Sequence, residues 1–191
     1  MRQRRRDRHD PPIRHDPIRA RGIRGGVSSN AIQLDCMLPV ITLPAWPSGP
    51  IDLHERWGSG ASLILSSLPG VSAQFGGLQR HLARLRSWQR REREFKSLGY
   101  ELAFVCAQTL DEQRAWLKGS ELGVTQLSDV DCRLAAGLRL PTIRLAHDRS
   151  VYTDLTLVLH GAVVRQVFYG GCEPQNNPET VLRFLRQVHG A

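Results

Sequence analysis

Thiols are where this chain could do covalent chemistry, and it has four: Cys36, Cys106, Cys132 and Cys172. No two lie close in sequence and no Cys-x-x-Cys pair occurs. Neither a cysteine-built metal site nor a vicinal dithiol is therefore expected. A lone thiol can still serve as a nucleophile if a helix N-terminus or a nearby cation lowers its pKa. Cys106 ends the apolar run ELAFVCA (Glu101 to Ala107), and the C-terminal ends of strands are where ligands gather in open α/β sheets. The plainer reading of Cys106 is a small buried hydrophobe. Cys172, in YGGCEPQNNP, sits in a glycine-flanked loop and is the thiol expected to be most exposed. Cys132 follows SDVD on a short helix and reads as packing, while Cys36 precedes the folded part. Of the seven histidines, His81 lies beside an apolar helical stripe; the other six show no ligand spacing. No metal and no other cofactor is expected.

The elements that must position these groups come next. SLILSSL (Ser62 to Leu68) is a continuous apolar run bounded by Gly and Pro, as expected of a central buried strand. A helix follows from about Phe75 to Leu98, with Leu78, Leu82, Leu85, Trp88 and Phe95 as its inner stripe. Arg80, Arg84, Arg86, Arg90, Arg91 and Arg93 cover its other faces and read as solvated; Gly99 closes it. ELAFVCA is a second buried strand and LDEQRAWLKGSELG a second helix, acidic in its first turn. VTQLSDVDCRLAAGLRLPT gives an extended piece, then a helix capped at Asp129. DLTLVLHGAVVRQVFY (Asp154 to Tyr169) is a hairpin turning at His160-Gly161. NPETVLRFLRQVHG closes the chain as an amphipathic helix with Pro near its start. Ahead of all this, LPVITLPAWPSGPIDLHERWG reads as a strand, a turn and a short strand. The order β-β-β-α-β-α-(α)-β-β-α predicts an α/β fold, a mixed central sheet flanked by helices.

Composition bounds the rest. The 191 residues suffice for one domain with a proper core. Residues 1–29 hold nine Arg against three Asp and account for most of the net charge of +8. Residues 1–35 are charged, Pro-rich and poor in apolar groups, and are expected to be a disordered tail, with the domain at 36–191. Arginine-rich faces raise the question of nucleic acid, but no aromatic residues interleave with them for base stacking, so that partner is not expected. No apolar run is long enough to span a bilayer, and no signal-peptide core follows the basic start. A cytoplasmic setting with reduced thiols is the expectation.

Several strings then resemble one family. LPVITLPAWPSGPIDL is similar to the opening strands of peroxiredoxins, and FKSLGYELAFVCAQTLDEQRAW to their helix-strand-helix segment. TQLSDVDCRLAAGLRLPT resembles their Ser-Asp segment, and LTLVLHGAVVRQVFY their following hairpin. The likeness spans roughly residues 38–188, and is nearest to a bacterial redoxin subgroup of the alkyl hydroperoxide reductase and thiol-specific antioxidant family. It implies a thioredoxin-like fold with peroxiredoxin-type N-terminal strands, and, in active members, thiol-dependent peroxide reduction supported by a thiol reductant. It also implies dimer surfaces.

The family's chemistry needs a cysteine in the first turn of the long helix, in the pattern Pro-x-x-x-Thr/Ser-x-x-Cys. No cysteine occurs between Cys36 and Cys106. Counting back from FKSLGYELAFV, the cysteine position falls on or near His81, with Leu78 and Gln74 at the Thr and Pro positions. A neutral imidazole cannot replace a thiolate. The family's active-site arginine, at the start of the hairpin, aligns with Asp154, and a carboxylate there would raise a neighbouring thiol's pKa. Arg144 and Arg149 are the arginines nearest in sequence. The resemblance therefore implies a degenerate peroxidatic site and a non-peroxidase binding or regulatory role. The alternative is a thiol-dependent antioxidant oxidoreductase using a relocated cysteine such as Cys106 or Cys172.

Overall fold

The structure is a computed structural model that describes residues 34–72, 76–145, 149–170 and 177–190. The expected tail, apart from Leu34 and Asp35, and the expected loop thiol Cys172 lie outside the described residues.

The two apolar runs form the centre of the sheet. β4 (Ser62–Ser67) pairs in parallel with β5 (Tyr100–Cys106), and β6 (Thr125–Ser128) continues in parallel on the other side of β5. The hairpin β9 (Leu155–His160) and β10 (Val163–Tyr169) joins antiparallel to β4, and the short β2 (Ala45–Trp46) joins β6. The resulting order is β10-β9-β4-β5-β6-β2. Both faces are covered, which is why the central strands read as continuous apolar runs rather than alternating ones. Alternation is still present in where each residue points. Leu102, Phe104 and Cys106 of β5 enter one core, and Ala103 and Val105 enter the other.

The first core is roofed by α2 (Gly77–Gln89), α3 (Glu92–Ser97), α4 (Leu110–Leu117) and α6 (Asn177–His189). Trp88 stacks on Phe95 at 5.7 Å and meets Phe104 edge-on at 6.2 Å. The second core holds α1 (Leu53–Trp57), α5 (Arg133–Leu138) and the segment around β1 (Thr42–Leu43) and β3 (Ile51–Asp52). It also takes in the small hairpin of β7 (Thr142–Arg144) and β8 (Ser150–Tyr152).

Several elements differ from the sequence reading. The single helix expected over 75–98 is two helices. The Arg91 N–H reaches back three residues to the Trp88 carbonyl, a 3₁₀ step that separates α2 from α3. The step preserves the phase of the stripe, so Trp88 and Phe95 remain in one core and the hydrophobic pattern carries no trace of it. The short strand expected at Ile51 is present as β3, but it lasts two residues and the chain then turns into α1, which was not expected. The Asp52 carboxylate caps it by accepting from the His54 and Glu55 N–H groups, both at 2.9 Å, and the burial of Leu53 and Trp57 holds it down. The hairpin of β7 and β8 was not expected. Arg84, expected on a solvated face, is buried.

The cap expected at Asp129 is present in a displaced form. Its two carboxylate oxygens accept from the Arg133 and Leu134 N–H groups at 2.9 Å each, although Cys132 is the residue that flanks the helix. α5 ends at exposed Arg139, which is left-handed at φ 53°. That conformation costs an L-residue about 1–2 kcal/mol, and glycine is exempt. Glycine's greater freedom in the unfolded chain offsets part of this. Arg139→Gly is therefore expected to raise stability by about 0.5–1 kcal/mol in urea unfolding. Arg139→Ala, which keeps the Cβ, should give no gain.

Candidate functional site

The C-terminal ends of β4 and β5 face the start of α2. The loop between β4 and α2 is anchored through Gln108, just past β5: its side-chain oxygen accepts from the Val71 N–H at 2.8 Å. Gly70, at φ +80°, makes room for that carboxamide, because a Cβ there would lie 1.9 Å from the same oxygen. At the far end of the loop, the Gly77 N–H bonds to the Ser72 carbonyl at 2.9 Å and Gly76 turns the chain at φ 85°. The first turn of α2 then holds Gly77, Leu78, Gln79 and Arg80, none of which is a nucleophile.

His81 lies on the second turn, not the first. It is 7% exposed, packs edge-on against Trp116 of α4 at 5.2 Å, and its Nε2 is buried without a hydrogen-bond partner. Burial, with a smaller contribution from the neighbouring Arg84 charge, pushes its pKa down to about 4. It is a neutral, packed imidazole at physiological pH.

Arg84, one turn further along α2, pairs with the Asp154 carboxylate just ahead of β9. Their side chains are 10% and 21% exposed. Burial and then Arg80 draw the Arg84 guanidinium down to about 9, and the carboxylate against it works in the opposite direction. Gly170 packs close against Asp154, where a Cβ would come within 2.4 Å of the carboxyl carbon. The floor beneath is polar as well. Ser66 and Thr156, both fully buried, share a hydrogen bond of 3.2 Å; the Ser67 hydroxyl, on the sheet's other face, donates to the Thr153 carbonyl at 2.7 Å. The sequence reading named Asp154 for this region; it missed Arg84 as its partner. The signal was available, since Arg84 lies three residues after His81 and one before Leu85, on the edge of the inner stripe.

The described thiols are poorly suited to nucleophilic work. Cys106 is 1% exposed, and burial pushes its thiol up to about 12. A thiol raised this far is protonated at neutral pH. Burial and then Asp129 and Asp131 raise Cys132 to about 11, and its Sγ lies 3.6 Å from the Ser150 carbonyl oxygen. Cys36, half-buried, is also shifted upward, chiefly by desolvation. Among the described residues no three of His, Cys, Asp and Glu gather as a metal-ligand set. No described helix is long and apolar enough to cross a membrane.

Solved structures share this fold. Reduced Prx3 from Vibrio vulnificus, in complex with hydrogen peroxide, superposes with a TM-score of 0.69 over 84% of this chain and 100% of that one, at 20% identity. The fold is that of a peroxiredoxin. A cysteine-to-serine mutant of PrxQ from Xylella fastidiosa matches with a TM-score of 0.69 over 85% of this chain and 99% of that one, at 12% identity. The peroxidoxin BcpB from Mycobacterium tuberculosis gives 0.68 over 83% and 99%, at 16% identity. No family model and no curated protein matches the sequence. The mixed central sheet with helices on both faces is thus the thioredoxin-like architecture of the peroxiredoxin fold. If the peroxiredoxin pattern Pro-x-x-x-Thr/Ser-x-x-Cys is started at Pro69, two residues beyond β4, it reaches Gly76 at the cysteine position.

Proposed function

We propose that this chain is a peroxiredoxin-family protein without peroxidase chemistry, acting as a binding or regulatory protein, as a homodimer in the cytoplasm. The observation that carries the reading is the start of α2. Neither counting from Pro69 nor counting back from β5 puts a thiol there. Reduction of a peroxide by this fold requires a thiolate to attack one peroxide oxygen, and a protonated, buried thiol elsewhere does not supply it. The Arg84–Asp154 pair supports the same reading. A cation that could stabilise a thiolate is here committed to a carboxylate.

The second reading, a thiol-dependent oxidoreductase drawing on a thiol reductant, loses support at Cys106 and rests on Cys172. Both readings meet one test. The full chain is reduced, mixed with equimolar hydrogen peroxide and a sulfenic-acid trap, and analysed by mass spectrometry at intervals. The expected result is no cysteine labelled faster than an ordinary free thiol, and no catalytic loss of peroxide in the presence of dithiothreitol. Rapid labelling at Cys172, abolished by Cys172→Ser, would establish the oxidoreductase instead.

A further inference from the structure

Apart from Arg80, the charges on α2 and α3 divide into two sets. One set is engaged in ion pairs: Arg84 with Asp154, Arg91 with both Glu94 and Glu179, Lys96 with Glu92, and Arg186 of α6 with Glu94. In the other set, Arg86, Arg90 and Arg93 are exposed and have no ion-pair partner among the described residues. Arg86 lies two residues before buried Trp88 and Arg93 two before buried Phe95, so both turn away from the first core, and Arg90 sits between them where the two helices meet. The junction therefore presents a short file of three exposed guanidinium groups.

We propose that this file is a docking surface for the phosphate backbone of double-stranded nucleic acid. Three like charges held in line destabilise one another, and a polyanion is the partner that relieves all three at once. A protein partner would call for an apolar centre with a polar rim. The exposed large apolar residues (Leu34, Met37, Val40, Leu78, Val130, Tyr169 and Val188) all lie off this file. A single strand would call for aromatic platforms, and the file has none. Phosphates of a duplex need only charge at regular spacing, and guanidinium groups bind them bidentately. The nine arginines and three aspartates of residues 1–29 add charge of the same sign to the same molecule. Binding of this kind is blind to base sequence. The surface is independent of whether any cysteine turns over peroxide.

The test uses the full chain and a fluorescent duplex of about 25 base pairs, titrated by anisotropy from 50 to 200 mM NaCl. The triple variant Arg86→Gln/Arg90→Gln/Arg93→Gln should weaken binding about tenfold or more. It should also flatten the slope of log K against log salt by about 2–3, near 0.9 for each phosphate that is no longer neutralised. The corresponding triple lysine variant should keep most of the slope, and unchanged thermal melts would confirm that both variants fold. No binding at 50 mM NaCl would overturn the proposal. So would a triple glutamine variant indistinguishable from the unaltered chain, which would assign the binding to residues 1–29. Equal and equally salt-sensitive binding to polyglutamate would overturn it in favour of an acidic protein partner.

Discussion

Acidification from pH 6.5 to pH 4 is expected to cost this protein about 3 kcal/mol through one side chain, His81. Its pKa falls from 6.5 to about 4 on folding, because the imidazole is buried beside Trp116 and close to Arg84. A depressed histidine pKa means that the unfolded chain takes up the proton first. The neutral form contributes its stability fully above pH 6.5, and that stability is lost progressively as the pH falls towards 4. Each pKa unit corresponds to about 1.4 kcal/mol, which sets the size of the loss at low pH. Urea unfolding at pH 7.5, 6, 5 and 4 would show it as a falling midpoint. His81→Phe, which keeps an aromatic ring against Trp116 and cannot be protonated, should remove most of the slope between pH 6.5 and 4. If the variant and the unaltered chain lose stability in parallel, the titration belongs to other groups.

The second large effect concerns Arg84 and Asp154. Removing one member of a buried ion pair leaves the other charge desolvated and uncompensated, at a cost of about 3–5 kcal/mol when the pair is fully buried. Asp154 retains some exposure, so the single variants Arg84→Met and Asp154→Leu should each cost about 2–3 kcal/mol. For a folded region of this size that is a drop of about 5–10 °C in Tm. The double variant Arg84→Met/Asp154→Leu removes both charges together. It should recover most of the loss, and all of it if the two side chains pack as well as the pair did. Thermal melts of all four proteins give the coupling energy directly. Additive losses in the double variant would show that the two groups act separately.

The centre of the sheet was readable from sequence because β4 and β5 are short and apolar on both faces. SLILSSL and ELAFVCA could hardly be anything else, and the hairpin announced itself at His160-Gly161. α6 was readable for a different reason, since its apolar spacing has a single phase with Pro178 in its first turn. What sequence hid were features decided by tertiary packing. α1 is five residues long and is held by one carboxylate and two buried side chains, too little to make a periodic signal. The break between α2 and α3 leaves the stripe in phase. The small hairpin of β7 and β8 is recruited by the second core rather than by its own residues. At the candidate site, Asp154 and the strand-end thiol Cys106 were both named from sequence. That Asp154 is matched by Arg84, and that Cys106 points into the core, depends on which way side chains face across the sheet, a property no single segment contains.

The same ion pair has a consequence for how such a chain can change over generations. A lineage that replaces Arg84 or Asp154 alone passes through a protein with a stranded interior charge. Single steps away from this arrangement are costly, and so is a single step to arginine at position 154, which would set two guanidinium groups against each other. The two positions are therefore expected to be inherited as a unit. Among descendants of a common ancestor, both should be kept or both should be gone.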